Sequence, residues 1–174
     1  RTILSKGDLN GGAPAAEYAL QIGPNNQLLF YATATNGWIG TNNNVVNNNV
    51  WQHVAVTNNG SRISFYVNGI MISSTPVISS SLSFGNHSFY IGRQGSGCNC
   101  NFMNGSIDEV RVWNIARTPC DIYSFSGCEI PTSASGLVAN YHFNQGVAGS
   151  SNTGVTTLND ASGNNLNGTL SNFA

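Results

Sequence analysis

Apolar and polar residues alternate in short runs along most of the chain. Residues 18–22, 27–32, 51–57, 62–67, 88–92 and 107–113 are runs of five to seven residues with a period of two, rich in β-branched and aromatic types. That pattern predicts half-buried β-strands. A further run at Ile3-Leu4-Ser5-Lys6-Gly7 and a later one at residues 137–143 read the same way, and Gly168-Thr169-Leu170 closes the series. The pairs Asn36-Gly37, Asn59-Gly60, Asn68-Gly69 and Asn104-Gly105 separate the runs and suit tight hairpins or bulges. The fold class this spacing predicts is all-β, an antiparallel sandwich or barrel.

Two stretches break the rhythm. Residues 42–49 read Asn-Asn-Asn-Val-Val-Asn-Asn-Asn, a polar loop with little to bury. Residues 114–126 carry Ala116, Arg117, Ile122 and Phe125 and fit one short helical turn. Residues 1–135 therefore read as the sandwich. Residues 136–174 read as a C-terminal strand followed by an Asn- and Gly-rich loop, either packed on the sandwich or linking to a next repeat.

Composition narrows the function. The 174 residues suit one domain, and only 7% of them are charged, against about 25% in an average soluble domain. Uncharged polar groups supply the difference, above all 26 Asn. Six Lys and Arg against seven Asp and Glu give no basic field for a phosphate backbone, which argues against nucleic acid as a partner. No apolar run reaches the roughly 18 residues of a membrane-spanning helix. With 40% hydrophobic residues and 17 aromatics, the chain has the material for a core and is not disordered. Low charge, abundant Asn and an even number of cysteines predict an extracellular or cell-surface location, and a start at Arg1-Thr2-Ile3 suits a processed product or an excised piece.

Three pieces of the chain resemble one family. Trp51-x-His53-Val54-Ala55-Val56-Thr57 with Gly60 and Tyr66-Val67-Asn68-Gly69 is similar to the central hairpin of laminin-G-like, concanavalin A-like domains. Ile91-Gly92-Arg93, then Phe102-x-x-Gly105-x-Ile107-Asp108-Glu109-Val110-Arg111-Val112-Trp113, resembles the next hairpin. Residues 136–144 with Asp160-x-Ser162-Gly163-Asn164-x-x-Asn167-Gly168 resemble segments between such units in bacterial surface proteins of the Bacteroidetes type. The resemblance implies a concanavalin A-like antiparallel jelly roll. Domains of this kind usually open with a Phe-x-Gly element and two further strands, so it also implies an N-terminal edge left incomplete here. An open edge invites a strand from a neighbour.

Candidate chemistry follows from the residues. A glycoside hydrolase needs two carboxylates across the sugar. The seven acids (Asp8, Glu17, Asp108, Glu109, Asp121, Glu129 and Asp160) contain no Glu-x-Asp-x-Glu run, and the adjacent Asp108 and Glu109 would face opposite sides of a strand. No catalytic residue is assigned. His53 and His142 read as structural strand histidines, His87 as an exposed turn residue, and Trp51 and Trp113 as core. Asp160-Ala161-Ser162-Gly163-Asn164 places side-chain oxygens around a glycine, which fits either a structural Ca²⁺ loop or an Asx turn. The resemblance implies that the Asp opening an Ile-Asp-x-Val strand helps hold such an ion, which makes Asp108, Asp160, Ser162 and Asn164 the candidate ligands. The alternative partner of Asp108 is Arg111 or Arg117. In the related pentraxins ligand is bound through calcium, but the corresponding places here hold Gln94, Gly95, Ser96 and Asn101.

Sugar recognition wants aromatic platforms with amide or guanidinium donors. Trp38, Arg93, Gln94, Asn99, Asn101 and Phe102 are the candidates, most of them in the long loop after residue 92. Cys120 and Cys128 flank a short loop containing Gly127 and are expected to form a disulfide. Cys98 and Cys100, separated only by Asn99, would close a small ring. Two functions fit: a non-catalytic module that binds glycans or cell-surface polysaccharide in adhesion, or a structural repeat of a surface filament that associates with copies of itself.

Overall fold

A computed structural model of the chain describes residues 1–7, 16–32, 35, 37–77, 85–95 and 100–171. It divides into two units, Arg1–Ser106 with Thr118–Gly127, and Ile107–Arg117 with Cys128–Ala174. The division does not fall at residue 135, because the strand formed by Val110–Trp113 pairs with the one at Leu137–Tyr141.

Among the described residues, the first unit holds two antiparallel sheets and one short helix. Strands β1 (Thr2–Gly7), β2 (Ala16–Ile22), β3 (Leu28–Ala32), β4 (Gly37–Gly40) and β8 (Phe89–Ile91) form a sheet in the order β4-β3-β2-β1-β8. Strands β5 (Val54–Asn58), β6 (Arg62–Val67) and β7 (Ile70–Pro76) form the other. This is the antiparallel β-sandwich that the alternation predicts. β1 has partners on both sides, so among the described residues the five-stranded sheet ends at β4 and β8 and not at its N-terminal strand.

Register sorts the side chains of the large sheet. Leu4 is paired with Leu20 and Ile91, Leu20 with Phe30, and Phe30 with Ile39. With Ile22 and Leu28 these make one apolar face. Leu20, Ile22, Leu28 and Ala32 are buried, as are Ile63, Phe65 and Val67 of β6, and together they supply the core of the sandwich. The register shift between Lys6 and Gly7 gives β2 one extra residue, Glu17. Such a bulge re-aims a side chain, and here the nearly buried Glu17 carboxylate meets Lys6 Nζ at 2.8 Å. His87 Nδ1 lies 3.1 Å from the same oxygen.

Asparagine sets many of the turns. Among the described residues, six of the eight non-glycine residues with positive φ are Asn: 26, 44, 49, 68, 101 and 165. Asn is the side chain that tolerates the left-handed region best, because its amide bonds locally. Asn68 (φ 49°) and Gly69 (φ 78°) make the tight β6–β7 hairpin, and the Asn68 Oδ1 also accepts from His53 N at 3.0 Å.

Helix α1 (Pro119–Ser124) fulfils the expected helical turn. Thr118 and Asp121 form a reciprocal capping box, and Pro119 opens the first turn. The expected Cys120–Cys128 disulfide is not formed: both side chains are exposed thiols. The capping box holds the start of the helix without a cross-link. Cys98 lies outside the described residues, and with it the expected pairing to Cys100. Trp51 is not core either. Strand β5 begins three residues later than the alternation implies, which leaves Trp51 in the preceding loop with 69% of its surface exposed.

In the second unit β9 (Val110–Trp113) pairs with β10 (Leu137–Tyr141), and β11 (Thr157–Leu158) with β12 (Gly168–Thr169). Trp113 is half-buried, with the Arg117 guanidinium 4.4 Å above its ring. The loop after β11 is fastened to β10 by Asp160. Its carboxylate accepts from Asn140 N (2.9 Å), Ser162 N (2.9 Å), Ser162 Oγ (2.8 Å) and Leu166 N (3.0 Å). Ser162 Oγ also lies 3.1 Å from Val138 O, and Asn164 Nδ2 donates to Val138 O at 2.8 Å.

Burial raises the Asp160 carboxyl pKa, but the hydrogen bonds from Asn140, Ser162 and Leu166 outweigh it and the net shift is downward. The ionised form is therefore favoured by folding. Its contribution is present above the ordinary value of 3.8 and lost as pH falls through the lower folded value. Asp160→Asn is expected to cost about 1.5–3 kcal/mol at neutral pH, the range for hydrogen bonds to a charged group. The gap to wild type should close on acidification, as read by urea unfolding across pH. Phe65 has no exposed surface. Phe65→Ala is expected to cost about 3–5 kcal/mol in the same assay.

Candidate functional site

The second face of the large sheet differs from the apolar one. Trp38 is paired with Tyr31, Tyr31 with Ala19, Ala19 with Ser5, and Ser5 with Tyr90. Directly paired residues project on the same side, so this row crosses all five strands. At about 4.8 Å per strand, it spans roughly 19 Å. Aromatic rings stand at both ends, and the small Ala19 and Ser5 lie between them.

At the β4 end the Trp38 and Tyr31 rings are 5.7 Å apart and tilted by 55°, with 43% of Trp38 exposed. At the β8 end the Arg93 guanidinium lies 4.9 Å over the Tyr90 ring. Gln21, two residues along β2 from Ala19 and on the same face, donates from Nε2 to Thr2 Oγ1 at 2.9 Å. Thr2, Ser5 and Ala19 have no exposed surface, so the accessible groups stand at the two ends of the row: the Trp38 and Tyr31 rings at one, Tyr90 and the Arg93 guanidinium at the other. Such groups stack on and hydrogen-bond to polyols.

The segment after β8 is stitched to the sheet. Ser5 Oγ donates to Arg93 O (3.2 Å), Gly92 N to Ile3 O (2.8 Å), Met103 N to Gly92 O (2.8 Å) and Thr2 N to Asn101 O (2.8 Å). Gln94 is buried and accepts from Asn101 Nδ2 at 2.6 Å. Phe102 is 52% exposed. The structure thus brings Arg93, Gln94, Asn101 and Phe102 to one end of the sheet, with Gln94 spent on internal bonding. Trp38 shares the row's face with Arg93's partner Tyr90 but sits at the opposite edge. Asn99 lies outside the described residues.

Tyr31 and Tyr90 escape the sequence reading because each looks like an ordinary strand residue. A signal existed for Tyr31. It and Trp38 are equidistant in sequence from the point between positions 34 and 35, which makes them cross-strand partners in a symmetric hairpin centred there, as the structure pairs them.

The expected cation ligands are placed as follows. Asp160, Ser162 and Asn164 come together in the clamp on β10, where their polar atoms engage protein partners. Asp108 is exposed and accepts from the next residue's N–H at 2.9 Å. Arg111 pairs with Glu109, not with Asp108. Glu109 has a φ of 51° and lies just before β9, so the alternation expected for residues 107–113 fails at its start. Glu109 also accepts from His142 Nδ1 at 2.6 Å. Burial raises the Glu109 pKa, but the hydrogen bonds from Arg111 and His142 and their charges carry it below its ordinary value. His142 is therefore part of a polar cluster and not an isolated strand histidine.

The family model of the concanavalin A-like lectin/glucanases superfamily matches residues 1–123, and the chain belongs to that superfamily. Among solved structures, a candidate carbohydrate binding protein from Bacteroides ovatus is similar over 97% of this chain and 46% of its own, with 21% identity and a TM-score of 0.72. An S-layer domain-containing protein from Clostridium thermocellum is similar over 62% of this chain and 54% of its own, with 23% identity and a TM-score of 0.40. The chain thus spans about half the length of each. No curated protein sequence matches it.

Gly95 tests how closely the loop is fitted to the sheet. A Cβ there would stand 1.9 Å from Gly7 O, a backbone atom. Gly95→Ala is expected to lift the segment off β1 and cost about 1–3 kcal/mol, seen as a lowered urea midpoint. An unchanged midpoint would mean that the contact is not close.

Proposed function

We propose that the chain is a non-catalytic carbohydrate-binding module of a surface or secreted protein, and that it reads glycan on the sheet face carrying Trp38, Tyr31 and Tyr90. The observation that carries this reading is the paired row, with partly exposed aromatic rings at both of its ends. Its length suits an oligosaccharide better than a single sugar ring. Membership of the lectin/glucanase superfamily and the fold shared with the Bacteroides ovatus protein support it.

The acids support a binding role over hydrolysis. A glycosidase acid needs a raised pKa to protonate the leaving oxygen. Glu17, Glu109 and Asp160 are all shifted down. Asp121 is engaged in the helix cap. The nearly uncharged composition fits a module displayed outside the cell.

The test is a glycan array run with calcium and with EGTA, followed by calorimetry on the best ligand. Trp38→Ala is expected to weaken binding about tenfold, equivalent to about 1.4 kcal/mol. The EGTA arm decides whether the calcium expected near Asp108 and Asp160 contributes to recognition. Absence of binding in both arms would overturn the reading and favour a structural repeat; unaltered binding by Trp38→Ala would move the site off this face.

A further inference from the structure

The second unit carries a cluster that the glycan reading does not use. Val110 pairs with Tyr141, the first residue of β9 with the last of β10. Glu109 and His142 therefore meet one position beyond the end of the ladder. Both borders are bent into the left-handed region, at Glu109 (φ 51°) and at Phe143 (φ 55°). Glu129 approaches from the segment after Cys128. One carboxylate oxygen from each glutamate and one ring nitrogen of His142 lie within 4.8 Å of one another.

We propose that Glu109, Glu129 and His142 form a binding site for a divalent cation of the zinc class. One imidazole and two carboxylates suit Zn²⁺, whereas Ca²⁺ takes oxygen ligands alone. The charges fit. Two carboxylates face a single guanidinium, Arg111, whose Nη2 is 2.8 Å from Glu109 Oε2 and also donates to Cys128 O. Glu129 is exposed and its Oε1 accepts from Asn144 Nδ2 at 3.3 Å, so it can turn inward.

An independent observation comes from Asn140. It has no exposed surface, and its Nδ2 lies 3.3 Å from His142 Nε2, so the amide is aimed at the ring. Its Oδ1 is buried without a hydrogen-bond partner. Without metal, His142 carries its proton on Nδ1 and donates it to the ionised Glu109. A cation on Nδ1 requires the other tautomer, with the proton on Nε2. A metal-bound histidine needs an acceptor for that second N–H. Asn140 Oδ1, brought round by rotation of the carboxamide, is such an acceptor. At Zn–N and Zn–O lengths near 2.0–2.1 Å, two tetrahedral ligand atoms stand about 3.3 Å apart. The present 2.6 Å between His142 Nδ1 and Glu109 Oε1 must then open by several tenths of an ångström.

The experiment uses the full chain after EDTA treatment and dialysis, titrated calorimetrically with zinc chloride alone and, separately, with calcium chloride. The expected result is one zinc per chain, with affinity reduced about tenfold or more in Glu129→Gln and in His142→Gln. His87→Gln, outside the cluster, should bind as wild type does. Glu129→Gln alters an exposed side chain and keeps the test meaningful if His142→Gln fails to fold. Zinc should also raise the thermal midpoint of wild type and not that of Glu129→Gln. No zinc binding, zinc binding unchanged in Glu129→Gln, or stronger binding of calcium would each overturn the proposal. The glycan reading stands or falls separately, since its residues lie in the other unit.

Discussion

The large sheet depends on one long-range pairing. β1 is seated between β2, which follows it closely, and β8, which lies more than eighty residues further along. Every hairpin of the sandwich could form from local contacts, but the β1–β8 pairing must close a loop containing most of the first unit, at an entropic cost that grows with loop length. The return is large. Leu4 and Ile91 extend the apolar face, and Ser5 and Tyr90 complete the row on the other. The same strand holds the segment after β8, through Ile3 O, Gly7 and the Ser5 hydroxyl. Core and candidate binding face are thus two sides of one ladder.

The two units handle polar groups differently. In the first, most turns are set by single Asn amides and glycines, and the nearly buried Glu17 is neutralised beside Lys6. In the second, Asp160 gathers backbone N–H groups from three separate places and so does for an irregular loop what a strand ladder does for a sheet. Sequence alone left this loop open between a calcium site and an Asx turn, since the same oxygens serve both. The donors that approach Asp160 come from Asn140 and Leu166, twenty residues before it and six after, and local spacing does not reveal them.

Strands with a regular alternation were legible from the pattern. β2, β3, β5 and β6 alternate clearly, and the observed register places their apolar residues as the alternation implies. β7 was not legible, because Ile70-Met71-Ile72 followed by Ser73-Ser74-Thr75 has no period of two. It is an edge strand with all three apolar residues exposed. The site was half legible. Trp38 and Arg93 belong to it by their chemistry, whereas Tyr31 and Tyr90 belong by register, which only pairing reveals. Glu109 and His142 were missed for a stronger reason. A strand read straight through residues 107–113 sends Glu109 away from its real partner, and the left-handed turn that redirects it leaves no mark when the residue is neither Gly nor Asn.

The reliance on Asn amides for left-handed turns has a consequence outside the fold itself. Neutral amide dipoles are hardly affected by dissolved ions, whereas exposed ion pairs fade as ionic strength rises. With 7% charged residues, and with Glu17 held beside Lys6 away from solvent, little of this architecture is open to screening. Its turns keep their geometry from dilute water to brine, a tolerance built into the chain's choice of side chains.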